Sequence, residues 1–157
     1  MTRDGAAPTP LPTARPLCVL IVDGNAAIRR HIRETLEAAR YQVLEATDGA
    51  DALTILCLLR ERAVALIGAE LPDMRLAEVL GAIRTLPDLR SAGHVYLLMS
   101  DADATATVPV AVHQAAEVVT EPILSRPPRV HELYHHLACA VVRMVAPSAA
   151  WADAPRH

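Results

Sequence analysis

Short apolar runs alternate with longer amphipathic segments along most of this chain, and this alternation restricts the fold more than any other feature. Runs rich in Val, Leu and Ile predict strands at 18–22, 42–46, 64–67, 94–99 and 117–120. Segments with apolar residues at helical spacing predict helices at 26–40, 50–61 and 76–84, and a last helix opened by Pro127-Pro128. Alternating strands and helices predict an α/β domain built on a parallel sheet.

Length and composition indicate one globular domain. The chain has 157 residues, of which 52% are hydrophobic and 21% charged, enough for a single core. We predict a flexible Pro-rich leader at 1–16, a domain at 17–145 and a flexible tail at 146–157. The net charge of −3 gives no field that attracts nucleic acid or an anionic membrane. With neither a signal peptide nor a membrane-spanning run, we expect a cytoplasmic protein.

Three sequence blocks carry a family resemblance. The stretches 19–30 (VLIVDGNAAIRR), 41–53 (YQVLEATDGADAL) and 71–74 (LPDM) resemble the receiver domain of two-component response regulators over about residues 17 to 145. The resemblance implies a flavodoxin-like, doubly wound, five-stranded parallel sheet of order 2-1-3-4-5. Arg40 stands where a glycine is usual after the first helix, at a position that favours left-handed backbone.

The pocket that the resemblance implies is degenerate. The phosphoacceptor position falls on Gly68, which cannot form an acyl phosphate, and the acidic pair that binds metal is reduced to Asp23-Gly24. Ser100 keeps the hydroxyl expected after the fourth strand. Alignment of Thr120-Glu121-Pro122 with the family's Thr-Lys-Pro places the carboxylate of Glu121 at the position of the cation. The chain contains no lysine.

A divalent cation is the one cofactor left to consider at the carboxyl ends of the predicted strands, where Asp23 is a weak candidate ligand for Mg²⁺. Glu70, Asp101 and Glu121 could lie nearby, or these acids could be solvated on separate loops. We therefore expect no required cofactor.

The expected function is that of a stand-alone degenerate receiver, a non-enzymatic, phosphorylation-independent interaction module in two-component (phosphorelay) signalling. The partner would be a protein such as a histidine kinase, with no nucleic acid or membrane involved. A homodimer through the last helix is also possible in this interpretation. The interaction surface would be the second apolar stripe of that helix, unless a tail covers it; the stripe comprises Tyr134, Ala138, Val142 and Val145.

Two alternatives from other classes remain open. The chain could be phosphorylated on another carboxylate, Glu70 or Asp73. It could instead be a zinc hydrolase, because His131-Glu132-Leu133-Tyr134-His135 matches the H-E-x-x-H pattern. Cys18, Cys57 and Cys139 are odd in number and set in apolar runs, which indicates reduced core thiols.

Overall fold

The computed structural model describes residues 17–100 and 124–145. The predicted leader at 1–16 and tail at 146–157 lie outside these ranges, as does the predicted fifth strand at 117–120. Within the described ranges, no helix combines the length and apolar character needed to cross a bilayer.

Strands and helices alternate from β1 to α3, and over this part of the chain the predicted elements are found within a few residues of their expected bounds. The strands are β1 (Cys18–Val22), β2 (Gln42–Ala46), β3 (Ala63–Gly68), β4 (Val95–Ser100) and β5 (Leu124–Ser125). The helices are α1 (Ala26–Ala38), α2 (Gly49–Leu58), α3 (Leu76–Thr85), a short α4 (Pro87–Arg90) and α5 (Val130–Val145). Neither α4 nor the position of β5 was predicted.

The five strands form one parallel sheet in the order β2-β1-β3-β4-β5. This confirms the predicted order 2-1-3-4-5 and places the carboxyl ends of all five strands at one edge. At that edge Gly68 pairs with Met99, and Ser100 pairs with Ser125. Residues that follow β1, β3, β4 and β5 are therefore neighbours in space.

Successive residues of the central strands point to opposite faces, and a separate core covers each face. Leu20 and Ile67 belong to the core beneath α2 and α3. Val19 and Leu66 belong to the core beneath α1 and α5. This arrangement explains why the central strands lack polar alternation, since both of their faces are buried.

The residues at the two ends of α1 adopt the conformations that the sequence predicts. The Asn25 side chain accepts hydrogen bonds from the amides of Ala27 and Ile28, at 2.8 and 3.2 Å, and caps the helix. At the other end, Arg40 has φ of +69°. The expectation of a left-handed residue there is confirmed, although the residue is not glycine.

A buried histidine connects α2 to the sheet. The Nδ1 atom of His94 accepts a hydrogen bond from the Ala63 amide at 3.0 Å, and Nε2 lies 3.2 Å from the Leu56 carbonyl oxygen. Acceptance at Nδ1 requires a neutral ring that carries its proton on Nε2. Burial lowers the pKa of His94, and the hydrogen bond to Leu56 opposes this only in part.

Candidate functional site

Asp23 lies at the centre of the candidate site. It directly follows β1, and its amide donates to the Ala46 carbonyl at the end of β2, 3.1 Å away. The side chain is 0% exposed, so its carboxylate needs internal partners.

A guanidinium from the opposite side of the site supplies most of those partners. Arg126 directly follows β5, and its Nε and Nη2 atoms donate to Oδ2 and Oδ1 of Asp23, both at 2.8 Å. The Asn25 amide donates to Oδ1 at 2.8 Å. The result is a bidentate, buried ion pair that joins the ends of β1 and β5.

Gly68 provides the space that the Asp23 carboxylate occupies. A Cβ atom at Gly68 would lie 2.8 Å from Oδ2 of Asp23, closer than a real Cβ contact allows. Any side chain at the end of β3 would therefore displace the carboxylate. Gly24 is less restricted, since its Cβ would lie 3.2 Å from Cδ of Pro72.

The structure corrects the position of the cation. The alignment that placed Glu121 there depended on a fifth strand at 117–120, but the strand that pairs with β4 is Leu124–Ser125. The residue at its carboxyl end is Arg126, whose peptide bond to Pro127 is cis. In the part of the chain that the structure describes, a cation stands at this position. Glu121 itself lies outside the described residues.

Ser100 lies at the carboxyl end of β4, at the same edge of the sheet. It is 1% exposed, and within residues 17–100 and 124–145 its Oγ atom is a buried polar group without a hydrogen-bond partner. Asp101, the next acid along the chain, lies outside the described residues.

Asp73 and Glu70, the carboxylates suggested as alternative phosphoacceptors, lie in different surroundings from each other. Oδ1 and Oδ2 of Asp73 accept hydrogen bonds from the amides of Gly49 and Ala50, at 2.8 and 3.0 Å, at the start of α2. The bond from Gly49 is the main cause that holds the pKa of Asp73 below its usual value. Asp73 thus acts as a cap for α2, and Glu70 is exposed beside a backbone bridge to Arg75. No observation favours either residue as a nucleophile.

The oxygen donors that residues 17–100 and 124–145 place at this edge do not fit Mg²⁺. The ion requires several oxygen ligands, yet Gly24 and Gly68 have no side chains. Both oxygens of Asp23 already bind Arg126, whose positive charge would repel a metal.

The H-E-x-x-H segment lies on the first turns of α5. Glu132 accepts hydrogen bonds from the Ser125 hydroxyl at 2.7 Å, the Arg129 amide at 3.1 Å and the Ser125 amide at 3.3 Å. Burial acts to raise the pKa of Glu132, but these bonds outweigh it and the pKa is lowered. A carboxylate bound in this way is a helix cap and a weak base. No group of three or more metal-ligating side chains occurs among the described residues. The structure therefore gives the zinc-hydrolase alternative no support.

The predicted interaction surface on α5 is divided. Ala138 and Val142 are exposed, Val142 by 60%. Tyr134 is half-buried, and its hydroxyl donates to the Thr35 carbonyl of α1 at 3.0 Å. Tyr134 therefore contributes to the packing of α5 on α1, while the Val145 side chain lies outside the description. Cys139 is also exposed, contrary to the prediction of a core thiol, whereas Cys18 is buried.

Comparison with known proteins supports the fold. No family model matches the chain, and no curated protein matches it. Among solved structures, the chemotaxis response regulator CheY4 of Vibrio cholerae matches with a TM-score of 0.67 and 22% identity, over 80% of this chain and 99% of that chain. The signal receiver domain of an HD domain-containing protein from Pseudomonas fluorescens Pf-5 matches with a TM-score of 0.67 and 20% identity, over 85% of this chain and 100% of that chain.

An adenylate cyclase from Rhodopirellula baltica matches with a TM-score of 0.66 and 18% identity, over 83% of this chain and 90% of that chain. At these identities the similarity defines the fold, which is that of response-regulator receiver domains. What such a fold does is decided by its site.

Proposed function

We propose that this chain is a degenerate receiver domain that acts in two-component (phosphorelay) signalling as a protein-interaction module and is not itself phosphorylated. The observation that supports this most directly is the bidentate Asp23–Arg126 pair over Gly68. Transfer of a phosphoryl group to a receiver needs a nucleophilic carboxylate at the end of β3. Gly68 supplies none, and the neighbouring carboxylate already binds a cation.

The same pair argues for a fixed signalling state. Arg126 links the end of β5 to the end of β1 through an ion pair between two side chains of the chain itself. A phosphate signal would have to compete with two charge-assisted hydrogen bonds in a buried site. We infer that the surface around β5 and α5 stays in one conformation, and that the domain needs neither Mg²⁺ nor an enzymatic activity of its own.

Incubation with acetyl phosphate and Mg²⁺, followed by intact-protein mass spectrometry, tests the proposal. We expect no phosphorylated species, whereas a receiver with an acceptor aspartate gives one in the same reaction. Gly68→Asp should also remain unmodified, because the new side chain would collide with Asp23 and the metal ligands would still be missing. An acid-labile, Mg²⁺-dependent phosphate on the wild-type chain would show that the proposal is wrong.

The partner surface that we propose is the outer face of α5 around Ala138 and Val142. Both residues are exposed, and they lie one helical turn apart on the side of α5 away from its buried Leu137. A histidine kinase, another signalling protein or a second copy of the chain would cover this apolar face.

Val142→Glu tests this surface, and Leu58→Glu is the matched control. Leu58 is 74% exposed at the end of α2, so both variants place a charge at an exposed apolar position. We expect Val142→Glu, but not Leu58→Glu, to weaken self-association in sedimentation equilibrium or binding to a histidine kinase in titration. Equal effects of the two variants, or none from either, would contradict the assignment of the surface to α5.

A further inference from the structure

Imidazole and thiol side chains follow one another along α5, apart from the Asp23 site, although no three of the described ones are grouped closely enough to hold one metal ion. His131, His135 and Cys139 follow one another at intervals of four residues, so they share one side of the helix. All three are exposed, and the half-buried His136 lies beside them, its ring centroid 5.0 Å from that of His135. Imidazole and thiolate are the ligands that late transition metals prefer.

The spacing of one pair already approaches that of a metal chelate. The Nε2 atom of His135 lies 3.9 Å from Sγ of Cys139. A tetrahedral Zn²⁺ with a Zn–S bond of about 2.3 Å and a Zn–N bond of about 2.0–2.1 Å holds its nitrogen and sulfur roughly 3.6 Å apart. A shift of a few tenths of an ångström, within the freedom of two exposed side chains, would bring both atoms onto one ion.

One residue of the pair, His135, borders a surface cavity, and Cys139 is not among the residues that line it. A surface cavity of about 400 Å³ reaches His135, with a lining formed by Ser125, Arg129, His131, Glu132, His135 and His136. Because Glu132 is committed to capping α5, it is not free to bind a metal. The chelating pair keeps the second histidine of the H-E-x-x-H pattern, His135, and adds Cys139 one turn further along α5.

We propose that His135 and Cys139 form an open, two-ligand site for a late transition-metal ion of the Zn²⁺ or Cu⁺ type, with water completing the coordination. On binding, the Cys139 thiol releases its proton to solvent, and the thiolate sulfur and His135 Nε2 each donate a lone pair to the ion. No electron is transferred. The site shares no residue with the Asp23–Arg126 pair, but it adjoins the proposed partner surface, since Ala138 lies three residues from His135 and Val142 three residues from Cys139.

Titration of the reduced full-length chain with Co²⁺ tests the site. A cobalt–thiolate bond gives a charge-transfer absorption band that imidazole or carboxylate ligands do not give. We expect the wild-type chain to show this band and Zn²⁺ to remove it by displacement. Cys139→Ser should abolish the band, and His135→Ala should shift its appearance to higher Co²⁺ concentration.

Two control variants make the result specific. His131→Ala removes the first histidine of the H-E-x-x-H pattern, and Cys57→Ala removes a half-buried thiol on α2. Both should retain the band, and circular dichroism should show that all four variants are folded. The proposal is overturned if the wild-type chain gives no band, if the band survives Cys139→Ser, or if His131→Ala abolishes it.

Discussion

Replacing Arg126 with methionine is the strongest test of how the candidate site is held together. Among the described residues, the change removes two of the three donors to Asp23 and the charge paired with it, while the Asn25 amide stays in place. Hydrogen bonds to charged groups are each worth about 1.5–3 kcal/mol. A buried charge that loses its partner costs about 3–5 kcal/mol, and the two figures agree. We therefore expect Arg126→Met to lower the free energy of unfolding by about 3–5 kcal/mol.

Urea unfolding at neutral pH, followed by circular dichroism, measures this loss. Arg33→Met is the matched control, because Arg33 binds Glu45 at 2.6 Å but the two side chains are 43% and 25% exposed. An exposed pair of this kind contributes no more than about 1 kcal/mol. Equal losses in the two variants, or a loss below about 1 kcal/mol for Arg126→Met, would refute the view that burial makes the Asp23 pair important.

Three further predictions concern backbone and burial. Gly68→Ala places a carbon 2.8 Å from Asp23 Oδ2 and should lower the free energy of unfolding in urea by about 1–3 kcal/mol. Gly81→Ala in α3 meets no atom within 4 Å and should raise the free energy of unfolding by about 0.5–1 kcal/mol. The opposite order of the two variants would contradict the packing at Gly68. Arg40→Gly should raise the urea midpoint, because a left-handed backbone costs a residue other than glycine about 1–2 kcal/mol. The greater freedom of glycine in the unfolded chain offsets part of this gain. A lower midpoint would argue against backbone strain at Arg40. Burial lowers the pKa of His94 from its usual 6.5. The contribution of His94 to stability is therefore complete above pH 6.5 and is lost as the pH falls below 6.5 towards the pKa of the folded state. His94→Gln should reduce the difference in urea midpoint between about pH 7.5 and about pH 5, and an unchanged difference would exclude His94 as its cause.

The fold could be predicted because its signals are local and repeated. Each central strand is a continuous apolar run, and each of the first two helices begins at a residue that caps it, Asn25 or Asp48. The order of the sheet came from the resemblance and from the general rule for doubly wound sheets. The short α4 was missed because a helix of four residues that begins at Pro87 has no periodicity to detect.

The position of β5 could not be predicted because two candidate positions stand close together. Val-Val-Thr-Glu-Pro at 118–122 and Ile-Leu-Ser-Arg-Pro at 123–127 each place an apolar pair before a polar residue and an X-Pro bond. The first match preserved the threonine of the family pattern, but the structure uses the second. The composition could have indicated the second position. Every one of the 15 Lys and Arg residues is arginine, so a Lys-type or Arg-type cation after the last strand had to be arginine. Arg126-Pro127 is the only Arg-Pro pair after β4.

Gly68, Asp23 and Arg126 form one set of mutually compatible residues at the carboxyl edge of the sheet. A carboxylate at Asp23 with 0% exposure would be costly if the other charges of the family pocket had simply been lost. The structure shows instead that the missing side chain at Gly68 leaves room for the Asp23 carboxylate, and that Arg126 neutralises it with both oxygens engaged. Each of the three residues depends on the other two, because a side chain at position 68 would displace the acid and an acid without arginine would be buried unpaired. Among the described residues, the charges of Asp23 and Arg126 therefore balance each other above Gly68.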